Sequence, residues 1–302
     1  MVAAVIVLYK PNSLLVDQVL RSVVSQVGHV FAIDNTPGRV TPPTPLFSEL
    51  GVTYIALTSN RGIARAQNIG IQESLAAGFT HVLLLDQDSI LPAELVERLL
   101  NAEIDLLHRG VQLAAVGPLA LDRKNGKRYG AVRHHWFHTE WISIDEGTDT
   151  PVPTDYLNAS GSLIRSTVFE RVGPMMENLF IDAVDTEWGL RALSLGYCSY
   201  VVPTAVMDHD LGNDVAHLLG RDIIVHSDLR NYYIVRNNIY LLRLASMGCK
   251  WKTFALYYVP KYVLVHSWLS NRRWTSFKLL LRAIFDGALG RVGPLDEDES
   301  MQ

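Results

Sequence analysis

Two carboxylates close an apolar run at Leu83-Leu84-Leu85-Asp86-Gln87-Asp88-Ser89, and Asp182-Ala183-Val184-Asp185-Thr186-Glu187-Trp188 supplies more acids further along. His209 follows in Asp208-His209-Asp210. Asp86 and Asp88 are two apart, so in an extended segment both side chains point to one face. An apolar strand cannot bury such charges uncompensated, because an unpaired carboxylate in low dielectric is very costly. Compensation comes from a hard divalent cation, which prefers carboxylate oxygens, or from exposure in a cleft. Where both hold, the site suits metal-assisted chemistry on a phosphate-bearing ligand. Each piece also has a plainer reading. Asp-x-Asp-Ser is a common solvated turn, and acids at the start of a helix over 187–195 are favoured by its dipole alone. A histidine after a strand at Tyr200-Val201-Val202-Pro203 is often structural.

The elements that must position these groups alternate. Val2 to Tyr9 is a continuous apolar run, the pattern of a strand buried on both faces of a parallel sheet. Leu14 to Val27 has helical spacing with Asn12-Ser13 available as a cap. Strands follow at Val30–Ile33, Val52–Leu57 and His81–Leu85, with a Pro- and Thr-rich loop over 37–45 and a helix over 62–77. This order predicts an α/β, doubly wound, mainly parallel sheet whose ligands sit beyond the carboxyl ends of the strands. Tyr9, Asp34, Asn60 and Asp86 all fall at such ends. The middle of the chain is less regular, and from about residue 216 it reads as helical and rich in Arg, Tyr and Trp.

The 302 residues can bury a sizeable core. A net charge of −4 excludes the global basic field of a nucleic-acid binder. Cys198 and Cys249 stand far apart, which fits a reducing compartment or indifference to redox state and no disulfide framework. The apolar start runs into Lys10-Pro11 without a cleavage site, so it reads as a strand and not a signal peptide. The best candidate span, Phe254 to Leu269, is interrupted by Pro260, Lys261 and His266, and the chain reads as cytoplasmic. Asn60 to Gly70 opens a helix with Asn60 as its cap and lacks Gly-x-Gly-x-x-Gly, which disfavours nicotinamide enzymes. Its free N–H groups would face the cleft, with Arg65 on phosphate or base, or simply on the wet face.

Taken together, Tyr9-Lys10-Pro11, Asp34-Asn35, Asn60 to Gly70, Asp86-Gln87-Asp88 and Phe180 to Trp188 resemble the inverting glycosyltransferases of family 2, which have the GT-A fold. Within that family the chain is most similar to bacterial rhamnosyltransferases of O-antigen and cell-wall polysaccharide assembly, which share the pattern Arg230-Asn231-Tyr232-Tyr233-Ile234-Val235-Arg236-Asn237. In the related galactofuranosyltransferases a catalytic Asp precedes a Gly-Leu-Arg helix and a metal-binding His ends the next strand. Asp185, Gly189-Leu190-Arg191 and His209 match that layout. The resemblance covers residues 1 to 245. It departs at Val184, where related enzymes can carry a second acid, so Asp185 is the expected base and Asp182 its substitute.

The resemblance implies a nucleotide-sugar-binding half over residues 1–110, an acceptor and catalytic half of the same domain over 111–215, and a C-terminal helical region over 216–302. It implies transfer of rhamnose from dTDP-rhamnose to a saccharide or polyprenyl-diphosphate-linked acceptor. Tyr9, Asp34, Asn60, Arg65 and Asp86 would hold the donor, with Asp34 on the base. Asp88 and His209, with Asp86, would bind Mg²⁺ or Mn²⁺. Asp182, Trp188, Arg230 and Arg236 are acceptor-side candidates. Trp188 is equally a core residue, and Arg230 and Arg236 are equally internal ion-pair partners. The aromatic and basic residues between Trp251 and Arg291 suit a membrane surface. They equally suit packing onto the catalytic domain or a second subunit. Two competitors are a metal-dependent nucleotidyltransferase, which should carry a Gly-rich triphosphate loop where Tyr9-Lys10-Pro11-Asn12 stands, and a non-catalytic sugar- or lipid-binding protein.

Overall fold

The computed structural model describes residues 1–121, 126, 128–208, 214–218 and 221–295. His209, one of the expected metal ligands, lies outside the described residues. The elements run β1 (Val2–Leu8), α1 (Ser13–Val24), β2 (His29–Asp34), α2 (Leu46–Glu49), β3 (Thr53–Ala56), α3 (Ile63–Ala76), β4 (His81–Asp86) and α4 (Leu95–His108). There follow β5 (Leu113–Leu121), β6 (Arg128–Tyr129), β7 (Ala131–His134), β8 (Thr139–Ile142), β9 (Val152–Thr154), β10 (Leu163–Arg165), α5 (Ser166–Val172), α6 (Val184–Ser194) and β11 (Cys198–Asp208). The chain closes with β12 (Asp214–Leu218), β13 (Arg221–Val225), α7 (Asp228–Leu241), α8 (Cys249–Leu269) and α9 (Arg273–Leu289).

The main sheet has the order β3-β2-β1-β4-β10-β5-β11-β9, with β6 on β5. The pairs β3-β2, β2-β1, β1-β4 and β5-β11 are parallel, while β10 runs antiparallel between β4 and β5. Every residue of β1 is buried, as its unbroken apolar sequence requires of a strand covered on both faces. Ala4, Ile6 and Leu8 join one core with Val16, Val19, Leu20 and Val23 of α1 and Leu95 and Leu99 of α4. Ala3, Val5 and Val7 join the other with Ile71 of α3 and Trp188 of α6. Helix α3 rides directly on β1: a Cβ on Gly70 would stand 2.3 Å from Val5 Cγ1. Asn12 caps α1 by accepting the N–H groups of Leu14 and Leu15 at 3.0 and 3.3 Å.

The expected start of the helical region at 216 is corrected. Residues 214–218 and 221–225 pair as an antiparallel hairpin, and helices begin only at Asp228. The β-branched run Ile223-Ile224-Val225 favours extended backbone there. Helices α7, α8 and α9 pack around Tyr232, Tyr233, Val259, Tyr262, Val263 and Leu280. Trp251 and Ala255 of α8 insert into the sheet's second core, so the helices are fastened to the sheet.

Candidate active site

The carboxyl ends of four parallel strands are level. Leu8 is in register with Asp34, Asp34 with Ala56, and Val7 with Asp86. The loops leaving those ends are tied to one another. The Tyr9 N–H donates to Gln87 Oε1 at 2.9 Å and the Lys10 N–H to Thr36 Oγ1 at 2.7 Å. Asp34 is fully buried, accepting from the Thr36 N–H and the Tyr54 hydroxyl, each at 2.8 Å, with Arg39 Nε at 3.5 Å. Both its oxygens are engaged, so in this arrangement Asp34 shapes the loop after β2. Burial and the bond to Asp34 push the Tyr54 phenol up, which keeps it a neutral donor.

Asn60 is not the cap of α3; Gly62 is, at φ 83°. Asn60 Oδ1 accepts from the Gly62 N–H at 3.0 Å and from Asn35 Nδ2 at 2.9 Å, forming the turn before the helix. Gly62 is required there, since a Cβ would stand 2.6 Å from the Phe180 carbonyl oxygen. The same carbonyl accepts the Ile63 N–H at 2.7 Å, so this orphan donor at the helix start is spent on the chain itself. Arg65 pairs with Glu177, Nη1 lying 3.0 Å from both carboxylate oxygens.

Asp86 ends β4 and is half-buried, while Asp88 is exposed just beyond it. The segment carrying Asp182 and Asp185 folds back over them. Phe180, Asp182 and Ala183 all have positive φ, at 65°, 62° and 59°. Such backbone persists only where its surroundings hold it, and α7 does so. Asn237 Nδ2 donates to the carbonyls of Leu179, Ile181 and Asp182 at 3.1, 2.7 and 2.9 Å. Arg230 grips the Asp182 carboxylate from Nε and Nη2 at 3.0–3.2 Å. The bend delivers Asp185 to the first turn of α6, where its Oδ1 accepts the Thr186 N–H at 2.8 Å.

Asp86, Asp88, Asp185 and Arg230 thus form one electrostatic cluster. Asp86 is pushed up to about 7 by burial, by the adjacent Asp88 and by Asp185, with Arg230 opposing. Burial, with the Asp182 charge, also raises Asp185. Asp185 thus has a higher proton affinity than a solvated carboxylate, the direction a general base needs. Asp86 and Asp88 present the oxygens that hard divalent cations take. Burial and repulsion together lift Asp86, and such a cation would offset both. Among the described residues no group of three His, Cys, Asp or Glu has ligand geometry, so a further protein ligand is not supplied by them.

Two acceptor-side expectations are corrected. Trp188 is buried, donates its indole N–H to the Gly173 carbonyl at 3.0 Å and packs on Phe169, so it is a core residue and no sugar platform. Arg236 is buried and donates to the carbonyls of Leu179, Gly293 and Arg291, so it ties the segment after α9 to the bend before α6 and does not face a diphosphate. Asn237, within the Arg230–Asn237 pattern, is a site residue that the pattern marks, but the carbonyls it binds come from the distant segment 179–182. A cleft of about 500 Å³ opens beside Asp182, Ala183 and Thr186, walled by His134, Trp141, Tyr156 and Tyr257.

A mixed, mostly parallel sheet with an acidic strand end of this kind is the GT-A glycosyltransferase architecture. A crystal structure of GalNAc-T7 with UDP, GalNAc and Mn²⁺ superposes with a TM-score of 0.62 over 95% of this chain at 14% identity. The chain spans 57% of that protein's length. S. aureus TarS 1–349 in complex with UDP-GlcNAc gives 0.57 over 95% of this chain and 81% of that one, at 15% identity. The Glycosyl transferase family 2 model matches residues 4–160. The dTDP-rhamnosyl transferase RfbF of Shigella flexneri is 36% identical over 242 residues, 80% of this chain and 79% of that one. The chain belongs to glycosyl transferase family 2.

Proposed function

We propose that the protein is an inverting rhamnosyltransferase that moves rhamnose from dTDP-rhamnose to a saccharide or lipid-linked saccharide in surface polysaccharide synthesis. The observation that carries the reading is the meeting of Asp185 with Asp86 and Asp88 beyond the carboxyl ends of the parallel strands. RfbF, by its name a dTDP-rhamnosyl transferase, supports the choice of donor. The donor would lie over the ends of β1 to β4, near Tyr9, Asn60 and the loop fixed by Asp34. Asp185 takes the proton from the acceptor hydroxyl as that oxygen attacks the anomeric carbon opposite the departing nucleoside diphosphate. Its raised proton affinity makes it a stronger base than a solvated carboxylate, and such help is typically worth ~10²–10⁴-fold. Arg230 orients the bend that carries Asp185 and places positive charge beside the acidic cluster.

Asp86 and Asp88 would hold Mg²⁺ or Mn²⁺, with His209 as a further ligand; the Mn²⁺ in the GalNAc-T7 structure supports a metal in this fold. A bound divalent cation supplies Lewis-acid stabilisation of charge on the leaving diphosphate. The work would take place on the cytoplasmic side, with α8 and α9 against the membrane surface; among the described residues no helix is long and apolar enough to cross a membrane. The deciding experiment follows dTDP release and rhamnosyl product by mass spectrometry from a panel of nucleotide-sugars, with and without EDTA. Rhamnose transfer from dTDP-rhamnose that stops with EDTA and returns with Mg²⁺ or Mn²⁺ is expected. Turnover of other donors only would overturn the donor assignment, and full turnover in EDTA would overturn the metal.

A further inference from the structure

The β7–β8 hairpin and α8 face each other across the 500 Å³ cleft, and three of the rings that line it are left uncovered. Phe137, Trp141 and Tyr257 are 67, 59 and 58% exposed. Clustered uncovered apolar surface of this kind marks a binding site. One polar group is built into the wall with care. His134 is buried, and Asp155 Oδ2 accepts its backbone N–H at 2.6 Å and contacts its ring Nδ1 at 3.0 Å. The ring is further held against Tyr156 and Phe254, with centroids 5.9 and 5.4 Å away. In the neutral ring a carboxylate at Nδ1 places the proton there, and Nε2 is then an acceptor. Among the described residues no group bonds to Nε2.

This unit is rigidly joined to the helix that carries Asp185. A Cβ on Gly189 of α6 would stand 2.5 Å from Tyr156 Cβ and 3.2 Å from the Asp155 carbonyl oxygen, so the two segments are in direct contact. Tyr156 lies within electrostatic reach of both Asp185 and Asp155. The chemistry of the wall selects among ligands. A sugar ring has an apolar C–H face for stacking and hydroxyls to donate. A phosphate group would need clustered cations, and among the described residues Lys261 is the only Lys or Arg lining the cleft.

We propose that this cleft is the acceptor subsite. A saccharide ring stacks on Trp141 and Tyr257 and donates one hydroxyl to His134 Nε2, with Asp155 a positioning residue for the imidazole. The proposal rests on the glycosyltransferase reading above. The test titrates the full chain with methyl glycosides of rhamnose, glucose and N-acetylglucosamine, read by tryptophan fluorescence and calorimetry. At least one glycoside is expected to bind the wild type. His134→Ala and Asp155→Asn should each weaken it about tenfold, the scale of one lost buried hydrogen bond. His134→Gln, which keeps an acceptor near the Nε2 position, should recover part of the loss. In transfer assays with the bound glycoside the loss should appear in its KM, with kcat changed less. Trp141→Ala, on the surface, gives an independent variant should His134→Ala fail to fold, and it too must lose glycoside binding. Unaltered affinity in the variants, or no glycoside bound by the wild type, as a cleft for a protein partner would give, overturns the proposal. Glycoside binding by a wild type that, titrated alongside with dTDP-rhamnose and other nucleotide-sugars, binds none of them would instead overturn the glycosyltransferase reading, leaving a saccharide site with no acceptor role.

Discussion

Asp185 sits where burial and neighbouring acids make its charged form costly, yet the Thr186 N–H holds one oxygen in place. A group so placed serves as a base because its proton affinity is high while its orientation is fixed. Asp185→Asn keeps size and that hydrogen bond but removes the proton acceptor. Transfer should fall about 10²–10⁴-fold, while calorimetry shows donor binding close to wild type. Lost donor binding would move Asp185 into the nucleotide site. Asn237 works at a distance from the chemistry. Its one amide nitrogen serves three carbonyls of a bend in which left-handed residues recur. Asn237→Ala should destabilise by about 3 kcal/mol in urea unfolding and lower kcat, because the bend that aims Asp185 loses its tie.

Among the elements, α7 and α8 are less a separate appendage than the back wall of the site. Their packing contains polar groups with demanding surroundings, and His266 is the clearest. Buried and stacked on Tyr262 at 3.8 Å, it is pushed down to about 4 by desolvation, and His226 adds to the shift. The folded state therefore keeps this ring neutral, whereas the unfolded chain protonates it near the ordinary value of about 6.5. Its contribution is fully present above pH 6.5 and is lost as pH falls toward 4, by at most about 3 kcal/mol. Thermal melts across that range should show a slope that flattens in His266→Phe, which keeps an aromatic ring on Tyr262 and removes the titration. An unchanged slope would assign the pH sensitivity to other groups.

For the whole molecule, charge is distributed unevenly. The chain carries a net −4, yet residues 249–289 hold seven Lys and Arg against one acid, Asp286. That acid is buried and bonded to Tyr232. Leu264 and Trp268 of α8 and Trp274, Phe285 and Leu289 of α9 are exposed, with Arg273 over the Trp268 ring at 4.2 Å. Trp251, Tyr258 and Tyr262 do pack inward, as the alternative reading of this region required, but these others do not. An exposed basic and aromatic face suits the headgroup layer of anionic lipid. Tyr257 and Lys261 of the same helix also line the cleft beside Asp182. Co-sedimentation with anionic vesicles at low salt is expected, weakening with added salt and with Arg272→Glu and Arg273→Glu. A chain that stays in the supernatant with every lipid would leave this face to a second subunit.

The alternation of apolar runs and helical spacing was sufficient for a mainly parallel sheet, because strands buried on both faces and amphipathic helices leave direct local marks. The placing of Asp86 and Asp88 at a strand end was legible for the same reason. What could not be read was which side chains the fold uses internally. Trp188 and Arg236 carry chemistry-bearing groups, yet their neighbours Gly173, Phe169, Leu179 and Gly293 come from other segments, and only packing turns those groups inward. The short runs from 216 onward lack a decisive period, and only the pairing of 214–218 with 221–225 makes them strands. His134 falls in a His- and Trp-rich stretch, but nothing in the sequence ties it to Asp155 and Tyr156. Asp155 bonds His134 and Gly189 lets α6 approach Tyr156, and contacts between distant segments are a property of the folded chain alone.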